Sequence, residues 1–374
     1  MKILFTGGGT GGHIVPLIAV MRELQRLQSA ASLQMLYMGP KDEFGDMLLS
    51  QEGIQILHTL AGKIRRYGGV KAMLQTFVDV FFKLPLGFLQ AFWKLFFLAP
   101  DLVMSKGGYG SLPATFASWL LGIPIFLHES DSVPGLANRV AAKLSVGIFT
   151  SFPHTERFPK QKTLLMGNPV RKEILEGSKE DAKHFFQLQG GKPLVFIMGG
   201  SQGAQRINEM LLIILQDALN TVEIIHQTGE KNYEDMKKET EAVLSKENRA
   251  WYHPVTFLKE TELRDAYAVA DLIIARAGSG SIFEIAAIGK PAILIPLPES
   301  AQNHQVKNAY EYAKTGAAIV LEEANLTPHF FLEKLKDLLQ NSQELEKMSL
   351  ASKTFAKPDS ARTIARYLLE YLAK

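Results

Sequence analysis

The feature that most restricts the fold is a local pattern that occurs twice. A short apolar run, Ile3 to Phe5, leads into Gly7-Gly8-Gly9-Thr10-Gly11-Gly12-His13 and then into Val20, Leu24 and Leu27 at helical spacing. The pattern restarts at Leu194-Val195-Phe196-Ile197-Met198, followed by Gly199-Gly200-Ser201-Gln202-Gly203-Ala204 and a helix expected over Ile207 to Leu215. Strand, glycine turn and helix in that order open a βαβ unit. Apolar runs without alternation suit parallel strands covered on both faces. Leu33 to Met38, Leu102 to Met104 and Ile123 to Leu127 continue the series, as do Val222 to His226, Leu272 to Ala275 and Ala292 to Ile295. One core seldom fills 374 residues, so the expectation is an α/β protein of two Rossmann-like domains. The expected division is 1–167 and 168–357, turning at Gly167-Asn168-Pro169. A last helix, 358–374, starts at Pro358-Asp359-Ser360 and carries the stripe Ile364, Leu368, Tyr371 and Leu372; it is expected to return to the first domain.

A glycine turn between strand and helix lets backbone N–H groups approach an anion at the positive helix end. Neither repeated turn is a Walker loop, since no Gly-Lys-Ser/Thr follows, and neither has dinucleotide spacing. Either turn alone is equally an ordinary structural bend. A third, Lys106-Gly107-Gly108-Tyr109-Gly110-Ser111, also follows a strand, and three at strand ends point to a ligand. His13 stands near a helix start, where the dipole disfavours its protonation and a neutral imidazole can act as base. The strand ending at Leu127 runs into His128-Glu129-Ser130-Asp131, at the strand edge where open α/β sheets bind ligands. In the second half, Arg276-Ala277-Gly278-Ser279-Gly280-Ser281 opens a helix toward phosphate or sugar, with Glu284 placed to accept ribose hydroxyls. Gln302-Asn303-His304-Gln305-Val306-Lys307-Asn308 gathers amides, which both donate to and accept from sugar hydroxyls. The nine histidines are scattered, so no metal site is expected. Cysteine is absent, which removes disulfides, thiolate ligands and a cysteine nucleophile.

These motifs, in this order and nearly end to end, resemble the MurG family of UDP-N-acetylglucosamine transferases. Pro134-Gly135-Leu136-Ala137-Asn138-Arg139 and Gly167-Asn168-Pro169-Val170-Arg171 add to the match. The resemblance implies a GT-B fold, with parallel sheets facing across a cleft, and a donor held mostly by the C-terminal domain. It implies that Ser201, with Gln202 and Gly203, meets the donor diphosphate and Glu284 the ribose. Leu258, after Phe257, would read the uracil with Arg171 nearby, beside the Arg276, Gly278, Ser279 and Gly280 turn. Gln305 and Asn308 would hold the N-acetylglucosamine, Thr10, Gly11 and Gly12 would face donor and acceptor at the cleft, and Tyr109 and Asn138 would bind substrate. His13 would deprotonate the 4-hydroxyl of lipid I for an inverting attack that gives lipid II. No cofactor or metal is called for. The family commonly has His-Glu-Gln-Asn where this chain has His128-Glu129-Ser130-Asp131, so Asp131 becomes a candidate to assist as base or to orient the acceptor. Other readings in the same fold are a glycolipid synthase, a UDP-N-acetylglucosamine 2-epimerase, or a non-catalytic nucleotide-sugar-binding subunit.

Residues 63–98 set the expected location. Phe77, Phe81, Leu84, Phe88, Phe92 and Leu95 make one helical stripe, which Val78, Phe82, Leu89, Trp93 and Phe96 widen, below Lys63, Arg65, Arg66 and Lys71. Asp79, Lys83, Gln90 and Lys94 interrupt the run and Pro85 is expected to break it, giving two short interfacial helices on an anionic membrane surface. No clean apolar stretch of ~20 residues is seen, and no secretory signal opens the chain, so a cytoplasmic, peripheral protein is expected. A net charge of +3, from 41 basic and 38 acidic residues, gives no case for a nucleic-acid partner.

Overall fold

The computed structural model describes residues 1–8, 11–28, 32–63, 65, 69–155, 157–199 and 204–374, and it divides into two compact units. The first comprises Met1–Arg171 with Pro358–Lys374, and the second Lys172–Lys357. The turn at Gly167-Asn168-Pro169 therefore lies inside the first unit.

The first unit holds seven strands: β1 (Lys2–Thr6), β2 (Gln34–Gly39), β3 (Gln55–His58), β4 (Leu102–Ser105), β5 (Ile125–Glu129), β6 (Gly147–Thr150) and β7 (Thr163–Leu165). All pair in parallel, in the order β3-β2-β1-β4-β5-β6-β7. The second unit has β8 (Leu194–Met198), β9 (Glu223–Gln227), β10 (Tyr252–Val255), β11 (Leu272–Ala275), β12 (Ala292–Leu294) and β13 (Ala318–Val320), in the order β10-β9-β8-β11-β12-β13. Each order reverses once, beside β1 and β4 in one unit and beside β8 and β11 in the other. A reversal sends successive crossover helices to opposite faces and opens a crevice at the strand carboxyl ends. The described residues of the glycine turns after β1 and β4 sit at the first of these crevices. Ile3, Leu4, Phe5, Val195, Phe196 and Ile197 are all wholly buried, which is why their strands read as unbroken apolar runs.

The closing helix, Ser360–Leu372, buries Ile364, Ala365 and Leu368 in the core of the first unit, against the helix Gly11–Leu27. Tyr367 and Tyr371 meet the rings of Phe126 and Phe149 edge-on. Ser360 Oγ donates to the Asn168 carbonyl at 2.7 Å, fixing the helix start.

The aromatic segment departs from its sequence expectation in two ways. It is one helical rod, with α-helix over Gly69–Val78 and Leu84–Leu98 joined by a π-turn at Asp79–Lys83. Pro85 does not break it, because it falls in the first turn of the second stretch, where a missing N–H costs least. Ala72–Leu98 is also long and apolar enough, by length and composition, to cross a bilayer, contrary to the reading that no such stretch exists. The second departure is that the stripe divides between two faces. Leu84, Phe88, Phe92 and Leu95 lean on the domain, whereas Phe81, Phe82, Leu86, Trp93, Phe96 and Phe97 are exposed. Gly87 and Ala91 explain the choice of face, since small residues let the helix lie close to the chain below. The π-turn carries a buried carboxylate, Asp79, bonded by Arg65 Nη1 at 2.6 Å and Lys83 Nζ at 2.7 Å.

Candidate functional site

In the first unit, the turns after β1 and β4 pack backbone on backbone. A Cβ on Gly8 would stand 2.7 Å from Gly110 Cα, so only glycine permits this approach. His13 lies in the first turn of the helix Gly11–Leu27, which also contains Gly11 and Gly12. Its ring rests over the second turn: a Cβ on Gly108 would meet His13 Nε2 and the Gly8 carbonyl, each at 3.0 Å. Gly107 and Gly108 both have left-handed backbones, with φ of 81° and 78°. Thr10 lies outside the described residues. Tyr109 is half-buried, with Lys63 Nζ 5.8 Å from its ring centroid, and burial raises its pKa.

The end of β5 supplies a buried polar network. Lys106 Nζ contacts His128 Nδ1 at 2.7 Å, Asn168 Oδ1 at 3.1 Å, and Ser130 Oγ. His128 Nε2 meets the Gly167 carbonyl at 3.0 Å, so it carries the proton and leaves Nδ1 as an acceptor. Glu129 accepts the Asp131 N–H at 3.0 Å and Asn138 Nδ2 at 2.7 Å. Asn138 Oδ1 then accepts the Gly108 N–H at 2.9 Å. Burial pushes Lys106 down to about 7, against the pull of Glu129 and Asp131. Burial, followed by the charge of Asp131, lifts Glu129 to about 7. Burial, then Lys106, drives His128 well below its usual value, so its imidazole is neutral. The structure thus joins His13, Gly12, Asn138 and Asp131 around one crevice, and Tyr109 continues the turn. Arg171 closes the unit in sequence. Sequence reading took Lys106, Glu129 and Asn168 only as parts of motifs. The signal for them was a lysine inside a glycine turn directly after a buried strand.

In the second unit, Ser201, Gln202 and Gly203 lie outside the described residues. After β11, Gly278 caps the helix Ser279–Ile288, and neither Gly278 nor Gly280 would bring a Cβ within 4 Å of another group. That first turn is therefore open to a ligand, with its N–H groups forward. Glu284 lies one turn deeper and accepts the Tyr267 hydroxyl at 3.1 Å. Arg276 is committed inward, donating to the Ile295 carbonyl at 3.1 Å and pairing with Glu323. Arg206 bonds the same Glu323 and Glu299, each at 2.7 Å. Gln305 stands on the helix His304–Ala313, its Oε1 accepting the Leu297 N–H at 3.0 Å. Asn308 is wholly buried, so the amide nearer the surface is that of Gln305. Leu258 is buried and Phe257 half-buried after β10. Among the described residues, no group of histidine and carboxylate side chains could hold a metal ion.

Comparison with known proteins gives the family. Residues 3–150 match the glycosyltransferase family 28 N-terminal domain, and residues 194–364 the family 28 C-terminal domain. A Bacillus cereus protein named UDP-N-acetylglucosamine–N-acetylmuramyl-(pentapeptide) pyrophosphoryl-undecaprenol N-acetylglucosamine transferase 2 is 34% identical, with 99% of each chain covered. The transferase of the same name (without the number) from Halothermothrix orenii is 35% identical over the whole of both chains. The crystal structure of MurG from Acinetobacter baumannii superposes with a TM-score of 0.74 at 26% identity, covering 99% of each chain. A UDP-GlcNAc 2-epimerase from Neisseria meningitidis shares the fold alone, with a TM-score of 0.68 at 15% identity.

Proposed function

This chain belongs to the MurG family of glycosyltransferases, and on that premise we propose that it transfers N-acetylglucosamine from UDP-N-acetylglucosamine to the 4-hydroxyl of lipid I. The product is lipid II, a peptidoglycan precursor. One observation carries the reading: similarity to transferases of that name runs the full length of both chains. The epimerase likeness reaches only the fold, and nothing favours the glycolipid synthase or the non-catalytic subunit.

The chemistry follows from the two crevices. In the first unit, His13 takes the proton of the acceptor hydroxyl as its oxygen attacks the anomeric carbon of the donor. The bond from that carbon to the diphosphate breaks, and UDP leaves with the electron pair. In the second unit, the open turn at Gly278-Ser279-Gly280 presents N–H groups to the donor diphosphate, where charge grows as UDP departs. Glu284 accepts the ribose hydroxyls, oriented by Tyr267. Gln305 addresses the sugar. Asp131, held by its own N–H on Glu129, orients the acceptor. The test is release of UDP from UDP-N-acetylglucosamine in the presence of a short-chain lipid I analogue. Turnover is expected with that pair. Turnover with a different acceptor and none with this one would reject the assignment.

We propose further that the enzyme works as a peripheral protein on the cytoplasmic face of the membrane, and the exposed rings of the Ala72–Leu98 rod support that reading. Phe97 is 78% exposed and Trp93 56%. Each such ring withdrawn from water is worth about 2 kcal/mol, so a handful suffices to hold a protein at a bilayer. The rod lies along the surface and does not span it, because Gly87, Ala91 and Leu95 are buried on the domain and Asp79 is held in an ion-paired turn. Lys63 and Arg65 add charge attraction to anionic headgroups. Purified protein should sediment with anionic liposomes, and Trp93→Asp with Phe97→Asp should reduce the bound fraction about tenfold or more. Phe88, which leans on the domain, is the wrong position for this test. Undiminished sedimentation of the double variant would remove the rod from membrane binding.

A further inference from the structure

Tyr37 is buried in the core of the first unit, and nothing in the reaction as read above uses it. It stands on β2 opposite Phe5 of β1, one residue short of the end of β1. Its hydroxyl passes that end and donates to the Gly7 carbonyl at 2.9 Å. From the other side, the Lys106 N–H donates to the Thr6 carbonyl at 2.8 Å. Two successive carbonyls at the mouth of the first glycine turn are thus held, one from β2 and one from the residue after β4. The hydroxyl fits because position 39 is glycine: a Cβ there would stand 2.7 Å from the Tyr37 oxygen and 2.9 Å from the Gly7 carbonyl. A Cβ on Gly110 would come within 3.0 Å of the same carbonyl. Both neighbours being glycine, neither brings a side-chain donor in place of the hydroxyl.

Gly7 in turn faces His13. A Cβ on Gly7 would stand 3.6 Å from His13 Cβ and 3.5 Å from Leu17 Cδ1, so a single methyl would fill the gap between the glycine turn and the helix. The next carbonyl, that of Gly8, lies with His13 Nε2 over Gly108. Gly7 and Gly8 are both buried. A buried carbonyl that loses its donor carries its full desolvation cost, which favours any shift of the turn toward water. Taking His13 as the base in the function proposed above, we propose that Tyr37 is a positioning residue: its hydroxyl pins the Gly7 carbonyl and so sets where the turn delivers the His13 imidazole. Tyr37 itself touches no substrate and acts through Gly7. The path from hydroxyl to imidazole is two contacts long and lies within one unit.

A double-mutant cycle on the whole enzyme tests this, with wild type, Tyr37→Phe, His13→Ala and the double variant. Tyr37→Phe removes one oxygen and leaves the ring that packs the core. It should lower kcat with the lipid I analogue about tenfold, with KM for UDP-N-acetylglucosamine within about twofold of wild type, because a displaced base loses rate and not donor affinity. In the His13→Ala background the same change should cost less than about twofold, since the hydroxyl has no imidazole left to place. A tyrosine that only supports the fold would lower the rate equally with or without His13, or lower the melting temperature with kcat unchanged. Either result overturns the proposal. Gly39→Ala, which displaces the hydroxyl without removing it, carries the same cycle if the phenylalanine variant does not fold. A second measurement does not depend on turnover. In protein with isotope-labelled histidine, the His13 ring resonance, identified by its loss in His13→Ala, should move and titrate at a different pH in Tyr37→Phe. An unmoved resonance overturns the proposal whatever the kinetics. If His13→Ala keeps the wild-type rate, the base assignment falls, and the resonance alone then decides whether Tyr37 places the ring.

Discussion

His13→Ala is expected to lower the transfer rate by about 10³-fold while leaving UDP binding unchanged, within the range that general-base catalysis contributes. The size follows from position. The imidazole sits in the first turn of the helix Gly11–Leu27, over a turn whose residues, Gly107 and Gly108, have no side chains to cover it. It is half-buried, so it can face substrate and is still held in one orientation. In the function proposed above, UDP binds to the second unit, around Gly278-Ser279-Gly280 and Glu284, and its binding should not sense the change. A calorimetric titration with UDP beside single-turnover kinetics separates the two effects. Residual turnover within a few-fold of wild type would remove His13 as the base, whatever the fate of the rest of the site. Loss of UDP affinity to the same degree would mean that the histidine acts on binding.

How much of this was legible in the sequence depends on how far apart the partners are. Parallel strands were visible because their burial on both faces writes an unbroken apolar run, as in Leu194 to Met198, which is strand over those same residues. The glycine turns were visible for the same local reason. The closing helix showed its stripe of Ile364 and Leu368, but a stripe does not name the surface that covers it; that surface is the first-unit core, reached across most of the chain. The aromatic rod was misjudged where local rules compete. Proline predicts a break, yet a π-turn immediately before it places Pro85 where the helix tolerates it. The stripe joined rings that the fold separates, Phe77 and Phe81 exposed but Phe88 and Phe92 on the domain, because bulky rings were counted, whereas the residues that set the contact are the small ones, Gly87 and Ala91. Lys106 was the hardest to read. Lysines are nearly always solvated, and its partners His128, Ser130 and Asn168 come from separate strand ends that only the sheet order brings together.

Gly107→Ala should be among the most damaging single-carbon changes in the first unit, and it links that network to the reacting groups. A Cβ at this position would overlap Asn138 Oδ1, on a backbone with φ of 81°. The left-handed backbone alone costs an alanine about 1 kcal/mol. The clash costs more, because Asn138 is buried and must give up its bonds to Glu129 and Gly108, each worth roughly 1–3 kcal/mol once a buried partner is left unsatisfied. A total of about 3–7 kcal/mol is large, and only its lower part is what a typical domain survives. Activity should fall further than stability suggests, by about 10²-fold in protein that remains folded, because a turn displaced by about 1 Å misplaces the groups above it. Gly122→Ala is the matched control. It has φ of 71° and no neighbour within 4 Å of the added carbon, so it bears the backbone cost without the clash. Urea denaturation and transfer rates of the two variants, measured side by side, isolate the part that belongs to Asn138. If Gly107→Ala proves no worse than Gly122→Ala in both, Asn138 does not hold the turn, and the path from Glu129 to His13 is broken at its middle link.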